Sequence, residues 1–228
     1  MLENPARGAW IQGTDAATAR ALATSLDWIA IDQQHGLADD RVMLDLLSAT
    51  AGLCQRYVRV RSLDAGLIGR ALDGGADGII VPQVSSAAEA RAAVSASHYP
   101  PRGDRSWGPI VEHSPDVVVG VMIENAAGLA ELAAIAASGA DLLFVGPYDL
   151  SLSLGTTVDA LLDEQTTLVA IRDAAIAASI AIGAFAGTPA RAARFAALGY
   201  RQIAVITDGR LVADAAAQVD AETSALFD

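Results

Sequence analysis

Two short stretches decide the fold: Val117-Val118-Val119-Gly120-Val121-Met122-Ile123-Glu124 and Leu142-Leu143-Phe144-Val145-Gly146-Pro147-Tyr148-Asp149. Each is an apolar run that reads as a buried strand and delivers an acid just past its end. Between them Leu129, Leu132 and Ile135 recur at helical spacing, and Gly139 supplies a stop. The unit is strand, helix, strand. Parallel strands bring like ends side by side, so Glu124 and Asp149 are expected to face each other in a mouth with apolar walls. Two such carboxylates repel unless a proton or a cation lies between them. Oxygen-only ligation suits Mg²⁺ or Mn²⁺, and two protein carboxylates leave coordination places for water and a small ligand.

Working outward, the chain alternates β-like runs with helical patterns almost without interruption. The expected strands are Gly8 to Gly13, Asp27 to Asp32, Arg56 to Val60, Gly78 to Val84, Val117 to Glu124, Leu142 to Pro147, Ile180 to Ala186 and Gln202 to Thr207. Helix signals fill the gaps. Val42, Met43, Leu46 and Leu47 make an apolar face, Ser86 with Glu89 makes a capping-box pattern, and Thr188-Pro189 is a cap with proline at the first helical position. About eight strands is the number that a closed (β/α)8 TIM barrel needs, at a typical length of roughly 250 residues. No linker or composition shift divides residues 1–228, so a single α/β barrel domain is expected. An open doubly wound sheet is the weaker alternative, because strand signals continue into the last quarter and no GxGxxG follows the first strand.

Composition limits the function classes. The 228 residues are 53% hydrophobic and 5% aromatic, which is the profile of a globular chain with a large core. A net charge of -12 argues against nucleic acid as a partner. The single Cys54 and the lack of a leader-like apolar start lead us to expect a reducing, cytoplasmic setting, and no apolar run is long enough for a membrane span. All 15 basic residues are arginines, so no lysine is present to form a Schiff base.

A barrel carries its site at the carboxyl ends of its strands. The second strand delivers Asp32-Gln33-Gln34-His35-Gly36, with an imidazole able to move protons near neutral pH. The third delivers Arg59, with Arg61 on the same face by the period of two. Spacing does not choose between the two arginines. With Glu124 and Asp149 they make a coherent set: two carboxylates for a cation, a guanidinium for an oxyanion, an imidazole for a proton.

Asp27 to His35, Tyr57-Val58-Arg59, Leu72-Asp73-Gly74-Gly75-Ala76, Val81-Pro82, Tyr99-Pro100-Pro101-Arg102-Gly103-Asp104-Arg105, Ile123-Glu124 and Gly146-Pro147-Tyr148-Asp149-Leu150-Ser151 resemble, in order, the HpcH/HpaI aldolase family. The resemblance implies a TIM barrel modified as in the phosphoenolpyruvate/pyruvate superfamily and a divalent ion (Mg²⁺ or Mn²⁺, with Co²⁺ a further option). The activity implied is reversible cleavage of 4-hydroxy-2-oxo acids to pyruvate and an aldehyde. It assigns Glu124 and Asp149 as metal ligands, His35 as proton acceptor, Arg59 rather than Arg61 as stabiliser of the enolate, and Asp73 as the acid that makes the histidine more basic. Tyr148 with Asp149 matches the backbone segment that holds the pyruvate carboxylate. Homo-oligomers, commonly hexamers, are implied as well, and the apolar last helix from Leu211 to Val219 is a candidate for exchange between neighbours.

Two positions depart from the family pattern. Met122 stands where a Gln that donates to substrate is usual, and Gln34 where a Glu precedes the histidine. Asp32 and Asp73 remain to orient and charge His35. The departures keep open another lyase or carbon-carbon bond-forming reaction with a different acceptor, and a non-catalytic barrel that binds an oxo acid is the third reading. Other residues get plainer expectations. His98 and His113 read as surface or loop-packing residues, Trp10 and Trp28 as core, and Asp159 to Glu164 as a solvated helix face. Trp107, in the patternless stretch from Pro100 to Pro115, is read as helping to close the mouth on the active face.

Overall fold

Alternate residues of each strand point to opposite sides, so every apolar strand here has to bury two faces, and closing the sheet on itself does so. The computed structural model describes residues 4–111 and 116–227. Its strands are β1 (Ala6–Ile11), β2 (Trp28–Asp32), β3 (Gln55–Arg59), β4 (Gly78–Val81), β5 (Val118–Ile123), β6 (Leu142–Val145), β7 (Ala181–Phe185) and β8 (Gln202–Thr207). They form a closed, all-parallel barrel in sequence order, with β8 returning to β1. The helices are α1 (Ala16–Ser25), α2 (Asp40–Ala49), α3 (Ala65–Asp73), α4 (Ala87–Ser97), α5 (Ala126–Ala130) and α6 (Leu132–Ala136). They continue with α7 (Pro147–Ser153), α8 (Val158–Glu164), α9 (Thr166–Ala177), α10 (Pro189–Ala197) and α11 (Asp208–Phe227). The expected (β/α)8 barrel is therefore present. Strand β4 stops at Val81, short of the expected Val84, because Pro82 has no N–H for the ladder and Gln83 takes φ +59°.

The inward phase carries the bulk. Trp10, Trp28, Tyr57, Met122 and Phe144 meet inside the barrel, and the rings of Trp10 and Phe144 lie 5.3 Å apart with Trp28 edge-on to Tyr57 at 5.7 Å. Glycines make room for them. A Cβ on Gly8 would collide with the Trp28 indole, and one on Gly183 would stand 2.8 Å from Phe144. The outward phase, such as Ile29, Ile31, Val119 and Leu143, packs under the helices in one continuous apolar layer. Caps set the helix starts as the sequence indicates: Ser86 accepts the Glu89 N–H at 3.3 Å and Thr188 the Arg191 N–H at 3.3 Å.

The Pro-rich segment corrects one expectation. Helix α4 runs back against the strands, so the chain after Ser97 lies at the end where strands begin, opposite the site. Asp104 donates its N–H to Ser95 and Ile110 to Asp73, at 3.0 and 2.8 Å, which ties the segment to the ends of α4 and α3. Trp107, 78% exposed beside Tyr99, does not reach the cavity of its own chain from there. His98 is buried in this segment, and His113 lies outside the described residues. On α8, Asp159 and Asp163 are exposed and pair with Arg191 and Arg194.

Candidate active site

Strand register brings the first pair together: Asp32 and Arg59 are neighbours across β2 and β3, both inward. Arg59 Nε and Nη2 donate to the two Asp32 oxygens at 2.8 and 2.6 Å, and the guanidinium lies 5.1 Å over the Trp10 ring. Asp32 is fully buried, and its Oδ1 also accepts the N–H groups of Gln34 and His35 at 3.0 and 3.2 Å. Burial pushes this carboxyl up, but the hydrogen bonds and charge of Arg59, with the two N–H groups, hold it below the usual range. The turn they make aims His35 at the cavity. A Cβ on Gly36 would collide with the Asp32 carbonyl, so the turn needs glycine there. Arg61 does not share this face, since β3 ends at Arg59. Its side chain is 47% exposed, with Asp40 at 3.8 Å.

Glu124, one residue past β5, is 1% exposed. Its Oε1 accepts the Gln83 N–H at 2.6 Å, while Oε2 is buried with no hydrogen-bond partner among the described residues. Burial pushes its pKa up to about 7, the Gln83 N–H opposes this, and the charge of Asp149 adds to it. Gln83 holds its uncommon left-handed backbone while making that bond, a local strain of the kind that gathers at functional sites. Gly146, the residue before α7, leaves space beside the acid, because a Cβ there would collide with Glu124 Oε2. Asp149 follows in the first turn of α7.

These groups line one cavity of about 160 Å³. His35, Arg59, Met122, Glu124, Tyr148 and Asp149 all reach it, as the sequence indicated. Asp32 stands directly behind Arg59, and Gln34 lies next to His35 with its Oε1 buried and without a partner among the described residues. Asp73 is not brought there. It ends α3, at the strand-start end of the barrel, and its carboxylate holds Arg105 at 2.5 Å. Within one chain it cannot act on His35. The sequence reading missed Trp10, Gln12 and Phe185 as wall residues. Trp10 and Phe185 sit in the inward phase of β1 and β7, and Gln12, one residue past β1, continues the phase of Trp10, so strand period was the available signal. At the rim, half-exposed Tyr148 accepts a 2.7 Å hydrogen bond from Arg191, which also grips Asp159 through two bonds of 3.1 Å.

Among the described residues no three His, Cys, Asp or Glu side chains converge on one point. A cation here would have two protein carboxylates and would complete its shell with water or ligand oxygens, which is how Mg²⁺ commonly binds. A buried carboxylate oxygen without a donor, next to a second acid and beside a glycine-made space, is a donor set short of positive charge.

Comparisons with known proteins give the family and the fold. The sequence pattern of the HpcH/HpaI aldolase/citrate lyase family matches residues 7–215. The hydroxypyruvate/pyruvate aldolase of Rhizorhabdus wittichii is 36% identical over 239 residues, covering 97% of this chain and 95% of that protein. A HpcH/HpaI aldolase/citrate lyase family protein from Burkholderia cenocepacia superposes with a TM-score of 0.90 at 32% identity, over 97% and 95% of the two chains. The citrate synthase SbnG superposes with a TM-score of 0.85 at 25% identity, over 99% and 96%. With a match over nearly its whole length and the shared barrel, the chain belongs to the HpcH/HpaI aldolase/citrate lyase family.

Proposed function

We propose that the protein is a divalent-metal-dependent class II aldolase that cleaves 4-hydroxy-2-oxo acids reversibly to pyruvate, or a related 2-oxo acid, and an aldehyde. The observation that carries this is the donorless buried oxygen of Glu124, facing the charge of Asp149 in a cavity shared with Arg59 and His35. Glu124 and Asp149 would hold the ion, Mg²⁺, Mn²⁺ or Co²⁺. When bound it supplies Lewis-acid stabilisation of the negative charge that develops on the 2-oxo oxygen. Two of the three guanidinium nitrogens of Arg59 are taken by Asp32, which leaves Nη1 to donate to that same oxygen. His35 takes the proton of the C4 hydroxyl in cleavage and returns it in synthesis. The N–H groups of Tyr148 and Asp149, in the first turn of α7 where helix donors lack partners, suit the pyruvate carboxylate. Met122 contributes an apolar wall in place of a donor.

A second reading, the same enolate chemistry with a different acceptor, draws on Met122 and on the similarity to a citrate synthase. Pyruvate in D₂O with Mg²⁺ separates the readings when methyl deuteration is followed by proton NMR. Exchange that stops on chelation is the expected result. Pyruvate binding without exchange would leave only a non-catalytic barrel, whereas with exchange established an aldehyde panel distinguishes the two catalytic readings.

We also propose that the chain forms a homo-oligomer through α11, whose Leu211, Val212 and Val219 are 38%, 59% and 58% exposed. A monomeric mass by light scattering would rule this out.

A further inference from the structure

Helix α11 already has an N-terminal cap, because Thr207 Oγ1 accepts the Arg210 N–H at 3.1 Å. The carboxylate of Asp208, 7% exposed, is used elsewhere. Its Oδ1 accepts the Gln12 N–H at 3.0 Å and its Oδ2 the Gly13 N–H at 2.8 Å, with the Gly209 N–H sharing Oδ1 at 2.9 Å. The fit is close: a Cβ on Gly13 would stand 2.8 Å from Asp208 Oδ2. Gln12, held in this way, forms part of the cavity wall, and its carbonyl accepts the Leu37 N–H at 2.8 Å. Leu37 belongs to the turn that carries His35. Charged acceptors make the stronger kind of hydrogen bond, so the first link in this chain is also a firm one.

We infer that Asp208 is a positioning residue: it fixes the backbone at Gln12 and, through the Gln12 carbonyl, the placement of the His35 turn over the cavity. It lies outside the cavity and touches no reacting atom. The inference rests on the aldolase reading of the site. Proton transfer depends steeply on geometry, and a misplacement of about 1 Å can cost about 100-fold in rate.

The test uses the full chain with Asp208→Ala, Asp208→Asn and Gly13→Ala, the last forcing the same contact from the other side. Amide hydrogen exchange is measured by mass spectrometry over residues 12–13 and 34–37, and Mg²⁺-dependent pyruvate deuteration gives kcat and KM. Asp208→Ala and Gly13→Ala are expected to speed exchange at 34–37 while β5 and β6 keep their protection. They should lower kcat about 10- to 100-fold with KM within about twofold. Asp208→Asn, which keeps one acceptor oxygen, should recover part of the loss. Unchanged protection at 34–37 in both variants, or lost protection with wild-type kcat, overturns the inference. Should Asp208→Ala not fold, the other two variants decide. A wild-type chain without exchange activity overturns the aldolase reading and this role together, and is recognised because the fault appears before any substitution.

Discussion

Replacing Arg59 with alanine is expected to lower kcat by about 10² to 10³-fold, the loss measured when one donor is removed from an oxyanion site. It should also cost about 3 to 5 kcal/mol of stability, because Asp32 stays fully buried with its charge unpaired. Activity and thermal melting can be separated. The double variant Asp32→Asn with Arg59→Ala removes the stranded charge, so it should recover much of the melting temperature and none of the rate. Arg59→Lys keeps the charge but loses the two-pronged grip, and should fall between. Acid adds a signature: the carboxyl of Asp32 is depressed on folding, so its contribution is present above the ordinary carboxylate range and lost only as pH falls through its lowered value. A kcat within threefold of wild type for Arg59→Ala would remove the guanidinium from the mechanism.

Replacing Glu124 with glutamine should lower activity by about 10³-fold or more, since several kcal/mol of charge stabilisation would go with the ion. Melting curves test the same residue without any turnover. Folding raises the pKa of Glu124 from 4.5 to about 7, so its neutral form favours the folded state. That contribution is full below about 4.5 and is lost as pH rises through about 7, a change worth about 3 kcal/mol. The cation-free wild type is therefore expected to melt higher at pH 5 than at pH 8, and Mg²⁺ should restore stability mainly at pH 8. Glu124→Gln should show neither effect. Melting at pH 8 that ignores Mg²⁺ and Mn²⁺ alike would defeat the proposed ion site.

Strand-borne parts of this site were legible because period two fixes which residues are inward and chain direction fixes which end they reach. Glu124 was legible as the acid at the end of one apolar run, and Asp149, in the first turn of α7, as the acid that follows the next. Period two failed between Arg59 and Arg61, since alternation holds only while the strand lasts, and β3 stops at the first of them. Asp73 and Trp107 lie away from this chain's own cavity for one shared reason. Motif order along the chain does not say which end of the barrel a residue occupies, whereas helix direction does: what closes α3 or follows α4 lies at the strand-start end. Gln12 and Asp208 were not seen at all, because their importance comes from backbone bonds between segments 195 and 196 residues apart, which no local pattern records.

Trp10, Trp28 and Phe144 stop up the barrel beneath the cavity, each 2% exposed or less. The chamber is a cul-de-sac. Ligands of the proposed reaction would enter and leave past the rim at half-exposed Tyr148, so a bulky side chain introduced there would slow arrival and departure alike.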